Sequence, residues 1–286
     1  MSGGPDSLAL MLLTHAARPG GFEVASVDHG LRAESAAECN FVAGICDDLG
    51  IAHTILTVKV PAGNIQSQAR AARYRALANW MDENGLSVLA TAHHADDQAE
   101  TILMRLNRGS GLSGLAGVRS VGKVPGSGHR LIRPLLGWRK ADLAQLVADF
   151  GIEPVADPSN SDDRFDRVRI RKELAESDWI DATSLAQSAS NLADAKEALD
   201  WMVEREWAGQ VERGDDTLLY VPQAPRAIRL AVLERAITEF GGVPRGADVA
   251  KLLDTLERGG SGNLAGVLAS VTKDGWRLRR EPPRRQ

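Results

Sequence analysis

Short apolar β-type runs alternate with long helical patterns through the first two thirds of the chain, and no other feature restricts the fold as strongly. "FEVASVDHG" reads as a strand ending at Asp28, Ala33 to Leu49 as a helix, and "HTILTV" as the next strand. A helical pattern from Ile65 to Glu83, the strand "LSVLATAH" and a helix from Ala95 to Arg108 continue the series. Strands separated by helices of this length need crossover connections, which build a parallel sheet with helices on both faces. Ligands of such sheets gather at the carboxyl ends of the strands. Three polar motifs, "SGGPDS", "VDHGLR" and "TAHHADD", fall at that edge. The first of them has only Met1 before it. A phosphate loop is ordinarily anchored by a central strand, so we expect the true start to lie upstream and to encode a short apolar run. Without that run the sheet has a gap with exposed edges.

The character changes after "DPSNSDDRFDRVRIRKEL", and a boundary near Asp178 separates a catalytic domain (1–177) from a smaller, mainly helical one (178–286). At 286 residues the chain has room for both. Helical patterns cover Leu185 to Trp207 and Ala227 to Phe240, and a "KDG" turn at Lys273 to Gly275 predicts a hairpin between "GVLASV" and "GWRLRR". The final "RRQ" reads as a frayed basic tail. Glycines crowd "RGSGLSGLAGVRS" and "GKVPGSGHR", which predicts a mobile loop over the ligand edge. The echo of that loop in "RGGSGNLAGV" is what two glycine-rich turns produce without common descent. A formal net charge of −4 excludes a uniformly basic coat and leaves room for a local basic groove. Cys39 and Cys46 stand seven apart on one helical face, a spacing for neither a disulfide nor a CxxC pair, and read as buried thiols of a reducing compartment. No apolar run approaches the roughly 20 residues of a membrane span, and no signal peptide precedes the first motif. We therefore expect a cytoplasmic protein with no membrane partner.

The chemistry is concentrated in three groups of residues. In "SGGPDS", Gly3 and Gly4 let backbone amides turn toward an anion, Ser2 and Ser7 add hydroxyl donors, and the helix starting near Asp6 points its positive end at the same place. The lysine of a Walker A loop is absent, so the usual γ-phosphate cradle is excluded. In "TAHHADDQAET", His93, Asp97 and Glu100 are spaced i, i+4, i+7 and fall within about 60° of one another on a helix. Ala99, Ile102, Leu103 and Leu106 form the buried stripe on another face. Carboxylates near a phosphate loop suit Mg²⁺, which takes a few of them together with phosphates and water. Arg70 and Arg73, beside Tyr74, and Arg167, Arg169 and Arg171 supply the planar forks that recognise phosphates.

"SGGPDS", "VDHGLR", "QARAARY", "TAHHADDQAET", "RGSGLSGLAG", "RPLL" and "DPSN" occur in this order, and the set resembles the tRNA(Ile)-lysidine synthetases of the PP-loop ATP pyrophosphatases over about Ser2 to Arg171. The resemblance implies a PP-loop, adenine nucleotide α-hydrolase-like fold and ligation of lysine to C2 of the wobble cytidine of isoleucine tRNA with a CAU anticodon. The cytosine oxygen is adenylated by ATP with loss of pyrophosphate, and the lysine ε-amine then displaces AMP. By motif, Ser2, Gly3, Gly4, Asp6 and Ser7 would bind the triphosphate, with Asp28 placed alongside them. Asp97 and Asp6 would hold Mg²⁺. His93, Asp97 and Glu100 would serve the metal and L-lysine, and Arg70, Arg73, Arg167 and Arg171 would contact nucleotide or tRNA phosphates, Arg70 and Arg73 within the catalytic set and Arg167 and Arg171 on the tRNA. Two departures stand out: Val168 follows Arg167 where the family often has asparagine, and the chain ends after one helical domain where some members carry another. PP-loop tRNA thiolases are rivals, but they rely on cysteine pairs that Cys39 and Cys46 do not match. A non-catalytic tRNA-binding remnant is the alternative of another class. The sequence leaves a homodimer open.

Overall fold

The computed structural model describes residues 1–30, 34–59, 65–155 and 166–281. The expected motif "DPSN", the end of "VDHGLR" and the "RRQ" tail lie outside them. The chain divides into two compact units, Met1–Ala193 and Asp194–Gln286, so the division comes later than the change of character near Asp178.

In the first unit α1 (Pro5–Ala17) leads into β1 (Val24–Asp28), α2 (Glu34–Asp48), β2 (His53–Thr57) and α3 (Ile65–Glu83). The chain continues through β3 (Val88–Ala90), α4 (Ala95–Leu106), the single turn α5 (Leu112–Leu115), β4 (Val121–Lys123) and β5 (Arg130–Ile132). Two helices, α6 (Lys140–Asp149) and α7 (Asp166–Glu176), follow. The strands form two separate sheets. β1 pairs with β2 in parallel, and β5 lies between β3, parallel to it, and β4, antiparallel. The alternation of strands and helices is as the sequence predicts. The antiparallel β4 has no strand pattern in the sequence, because its three residues lie inside the glycine-rich segment.

That segment is more regular than its glycine content suggests. The buried Gln98 of α4 donates Nε2 to the Val118 carbonyl and accepts the Val118 amide at Oε1, both at 2.7 Å, as a neighbouring strand would. Gly117 has φ of +63°, and a Cβ there would lie 2.7 Å from Gln98 Oε1. A glycine that reads as a source of mobility is thus what lets the side chain of Gln98 approach the backbone.

α1 is apolar around most of its circumference, and such a helix must be buried. Leu8, Ala9, Met11 and Leu12 are buried in one cluster with Val24, Val42, Cys46 and, from the α6 side, Leu135, Leu143 and Val147. Cys39 and Cys46 are both free and buried, as their spacing implied.

The second unit holds most of α8 (Ala182–Gln210), which begins in the first, and then β6 (Val211–Arg213), β7 (Thr217–Tyr220), α9 (Arg226–Glu239) and α10 (Gly246–Glu257). β8 (Ser261–Leu264), β9 (Val267–Thr272) and β10 (Gly275–Arg280) complete it. The expected hairpin is β9–β10, with Gly275 opposite Thr272. It belongs to a five-stranded sheet in the order β6-β7-β10-β9-β8, so a mainly helical domain with one hairpin understates the β content. The extra strands are three or four residues long and carry Gly, Asn, Glu and Arg, too short and too polar for an alternating pattern to register. The two glycine-rich echoes differ in structure, one forming α5 and the other β8 and its turn into β9.

Leu143, fully buried on α6, belongs to the cluster that the buried residues of α1 fill. We expect Leu143→Ala to lower the unfolding free energy by about 3 kcal/mol. Urea denaturation followed by circular dichroism would measure it, and a loss below about 1 kcal/mol would show that α1 does not depend on this support.

Candidate active site

Gly3 and Gly4 form the turn into α1. Gly3 has φ of +72°, and a Cβ on it would come within 2.9 Å of Val155 Cγ2. Its carbonyl accepts the Val155 amide at 3.0 Å, which pins the loop from outside. Gly4 is the N-cap of α1 with no side-chain cap, and Pro5 at the first position has no amide to satisfy. Among the described residues, the amides of Gly3, Gly4, Asp6 and Ser7 have no hydrogen-bond acceptor. Ser7 Oγ donates to the Gly4 carbonyl at 3.0 Å and lies 3.4 Å from Ser2 Oγ. The result is a rigid set of unpaired donors at a helix N-terminus, which is an anion-binding arrangement.

Asp28 ends β1 but turns inward on its own loop. It accepts the Gly30 amide at 2.9 Å, and hydrogen bonds first from Ser35 and then from Gly30 hold its carboxyl below the usual range.

α4 starts two residues later than an i, i+4, i+7 reading of His93, Asp97 and Glu100 requires. Its N-cap is His94, in a reciprocal capping box with Asp97, so His93 lies outside the helix and shares no helical face with the two acids. His93 instead meets Thr91 Oγ1 at 3.0 Å through Nδ1. Burial, followed by the charges of Arg133, Arg70 and Arg167 and opposed by Asp97, lowers its pKa to about 4, so it is a neutral ring at pH 7. The expected stripe is also shorter: Ala99 and Ile102 are buried, whereas Leu106 is exposed.

The buried histidine is His94. Nε2 lies 3.5 Å from both Asp6 and Asp97, and Nδ1 lies 3.6 Å from Asp96. Burial opposes its charge, but hydrogen bonds to Asp6 and Asp96 and the charges of Asp97 and Asp6 prevail and raise its pKa to about 9. The two protonation states have different partners. As an imidazolium, Nδ1 carries a proton toward Asp96. As a neutral ring, Nδ1 can accept the Asp97 amide, 3.4 Å away. Asp96 also accepts the Lys140 amide at 2.8 Å at the start of α6 and pairs with Arg139 at 3.3 Å, and against the cost of burial these contacts with His94 hold its carboxyl well below the usual range. Helical spacing in the sequence selects His93 and so misses His94. The string His-Ala-Asp-Asp, with an acid three residues after a capping side chain, was the available signal.

Glu100 is buried and carries two arginines. Arg167 donates Nε to Oε2 at 2.5 Å, and Arg171 donates Nε to Oε1 at 2.7 Å. Arg167 also reaches Asp97 through Nη2 at 2.7 Å. The two arginines are one turn apart on α7 and reach the same helix, α4. Their expected use on tRNA finds them committed to Glu100 and Asp97, while Arg169 pairs with Asp166. Arg70 and Arg73 lie on α3 with their guanidinium carbons 5.0 and 5.3 Å from the centre of the buried Tyr74 ring.

Among the described residues no three His, Cys, Asp or Glu side chains are grouped to hold a metal ion. Mg²⁺ needs fewer when phosphate and water complete its shell. Asp6 fits this requirement, because its Oδ1 is buried with no hydrogen-bond partner. Asp97 lies on the same histidine nitrogen but is engaged by Arg167.

The raised pKa of His94 has a definite consequence for stability. Its contribution is fully present below its ordinary pKa of 6.5 and is lost as the pH rises through about 9. We expect the wild type to lose on the order of 3 kcal/mol between pH 6 and 10 in excess of His94→Gln. Thermal melts of both proteins across that range are the measurement, and parallel curves would overturn the assignment.

A sequence model of the PP-loop domain matches residues 1–177. The tRNA(Ile)-lysidine synthase of Novosphingobium aromaticivorans is 51% identical over 100% of this chain and 89% of its own length. That of Zymomonas mobilis is 39% identical over 100% and 88%. A solved structure of the U34-tRNA thiolase NcsA from Methanococcus maripaludis, with its [4Fe-4S] cluster, is similar in fold, with a TM-score of 0.57 at 18% identity over 68% of this chain and 70% of that one. With an anion-binding loop, an acid-rich helix start and full-length relatives of one name, the chain belongs to the tRNA(Ile)-lysidine synthase family of PP-loop proteins.

Proposed function

We propose that the chain forms lysidine at the wobble cytidine of isoleucine tRNA with a CAU anticodon, using ATP and L-lysine, in the cytoplasm. The observation that carries this reading is the set of unpaired amides at Gly3, Gly4, Asp6 and Ser7 beside the carboxylates of Asp6 and Asp97. The cytosine O2 attacks the α-phosphorus of ATP, and the bond to the β-phosphate oxygen breaks. Pyrophosphate then leaves into the loop, whose amide donors stabilise its charge without a Walker lysine. The lysine ammonium then gives up a proton to water, the resulting ε-amine attacks C2, and the C2–O2 bond breaks as AMP departs with the former O2.

Asp6 and Asp97 would hold Mg²⁺, which when bound offsets negative charge on the phosphates. Asp97 and Glu100 are also the carboxylates suited to the lysine ammonium. Arg171 orients Glu100, and Arg167, half exposed, covers both acids until a substrate cation replaces it. His93, held neutral, accepts a hydrogen bond from an amine without repelling an ammonium. Sulfur transfer is a weaker reading, because Cys39 and Cys46 are buried and their burial raises their pKa values.

The direct test is incubation of isoleucine tRNA with ATP and lysine, followed by mass spectrometry of its nucleosides. Lysidine is the expected product, and its absence under conditions where the relatives' enzymes work would reject the reading. Asp97→Asn keeps an oxygen to accept the His94 amide but gives up the charge facing His94 and Arg167, so it should still fold, with a lowered melting temperature, while adenylation falls by about 10²-fold or more. Near-normal turnover would remove Asp97 from the reaction.

A further inference from the structure

The motif "RPLL" ends a strand and has been given no role so far. Its arginine, Arg133, follows Ile132 at the carboxyl end of β5, where the Thr91 amide donates to the Ile132 carbonyl at 3.0 Å. Thr91 in turn holds His93. Arg133 donates its amide to the Ser120 carbonyl at 2.8 Å and Nη1 to the Arg119 carbonyl at 2.6 Å. Two residues earlier, the fully buried Leu131 packs with Tyr74, and a two-residue step along a strand returns to the same face. Tyr74 is the ring against which Arg70 and Arg73 lie, with Arg70 Nη2 3.4 Å from its hydroxyl. Arg133 and Arg70 therefore lie together between the buried Tyr74 and His93, whereas Arg73, on the same ring, acts on His29 and the Met1 amino group.

The cluster has no internal compensation. Among the described residues none of Arg70, Arg73 and Arg133 has a carboxylate within ion-pairing distance, and Arg133 Nε is buried without any hydrogen-bond partner. Burial first, and then the charge of Arg70, pull the basicity of Arg133 below its ordinary value, although a guanidinium stays charged. Like charges held together in this way repel until an anion joins them. The ATP phosphates already have the loop amides of Gly3 to Ser7, so the free position is for the other polyanion of the reaction.

We propose that Arg133, together with Arg70, receives a backbone phosphate of the bound tRNA and so positions the wobble nucleotide beside His93. The inference rests on the lysidine reading, and the two fail separately: absence of lysidine from wild-type reactions rejects the reading, whereas the proposal is judged by binding alone. tRNA binding to the full chain is measured against KCl concentration for wild type, Arg133→Gln and Arg133→Lys, with ATP binding measured in parallel. Arg133→Gln should bind tRNA about tenfold more weakly at low salt, with the log–log salt slope shallower by about one and ATP affinity unchanged. Arg133→Lys should restore the slope. An unchanged slope in Arg133→Gln overturns the proposal, as does weakened ATP binding with the slope intact, which would assign the cluster to nucleotide phosphate. If Lys fails as Gln does, the role is structural and the proposal is also wrong. Should Arg133→Gln not fold, the exposed Arg70→Gln gives the same slope measurement.

Discussion

A buried imidazolium at the start of α4 ties together the elements that carry the site. His94 meets Asp6 from α1, Asp96, whose carboxylate caps α6, and Asp97 from its own helix. The phosphate loop is the turn into α1, so its position relative to the acids of α4 is set largely by this charge. An imidazolium surrounded by carboxylates is favourable inside a protein only while the groups stay paired, since each would be costly alone. The apolar contact of α1 with α6 supplies the complementary, non-directional part of the same attachment.

A second buried charge, Glu100, orders the other side of α4. Its two arginines come from one face of α7, whose separation of four residues presents both forks to the same carboxylate. Removing either would leave a carboxylate buried with half its partners, a costlier change than loss of a surface ion pair. α7 is thereby held against α4 by charge rather than by apolar area: Val168 is its only buried residue.

The charges around the site are segregated although the chain as a whole is mildly acidic. Unpaired amides face one ligand at the head of α1, carboxylates crowd the head of α4, and uncompensated arginines surround Tyr74. The proposed reaction, between two polyanions and one cationic amino acid, needs such separate places. A net charge of −4 says nothing of this arrangement, because a sum over the chain has no position.

Local pattern was enough to determine much of this protein. β1, β2, α2, α3 and the start of α4 follow the predicted spans closely, because each is a run of apolar residues whose period belongs to its own backbone geometry. The order of motifs was enough to indicate the family, and the glycines, serines and proline of "SGGPDS" already specified an anion-binding turn. Tertiary structure decided the rest, wherever a residue's role depends on a partner distant in the chain. His94 outranks His93 only because Asp6 lies across from it, and Gln98 organises a glycine-rich loop only because Val118 comes to rest alongside. Arg167 and Arg171 read as phosphate ligands until Glu100 is found buried between them, and Arg133 gains a role only through Tyr74 and Arg70, some sixty residues away. Spacing encodes which residues share an element; which charges meet, and which are left without a partner, is fixed only when the elements pack.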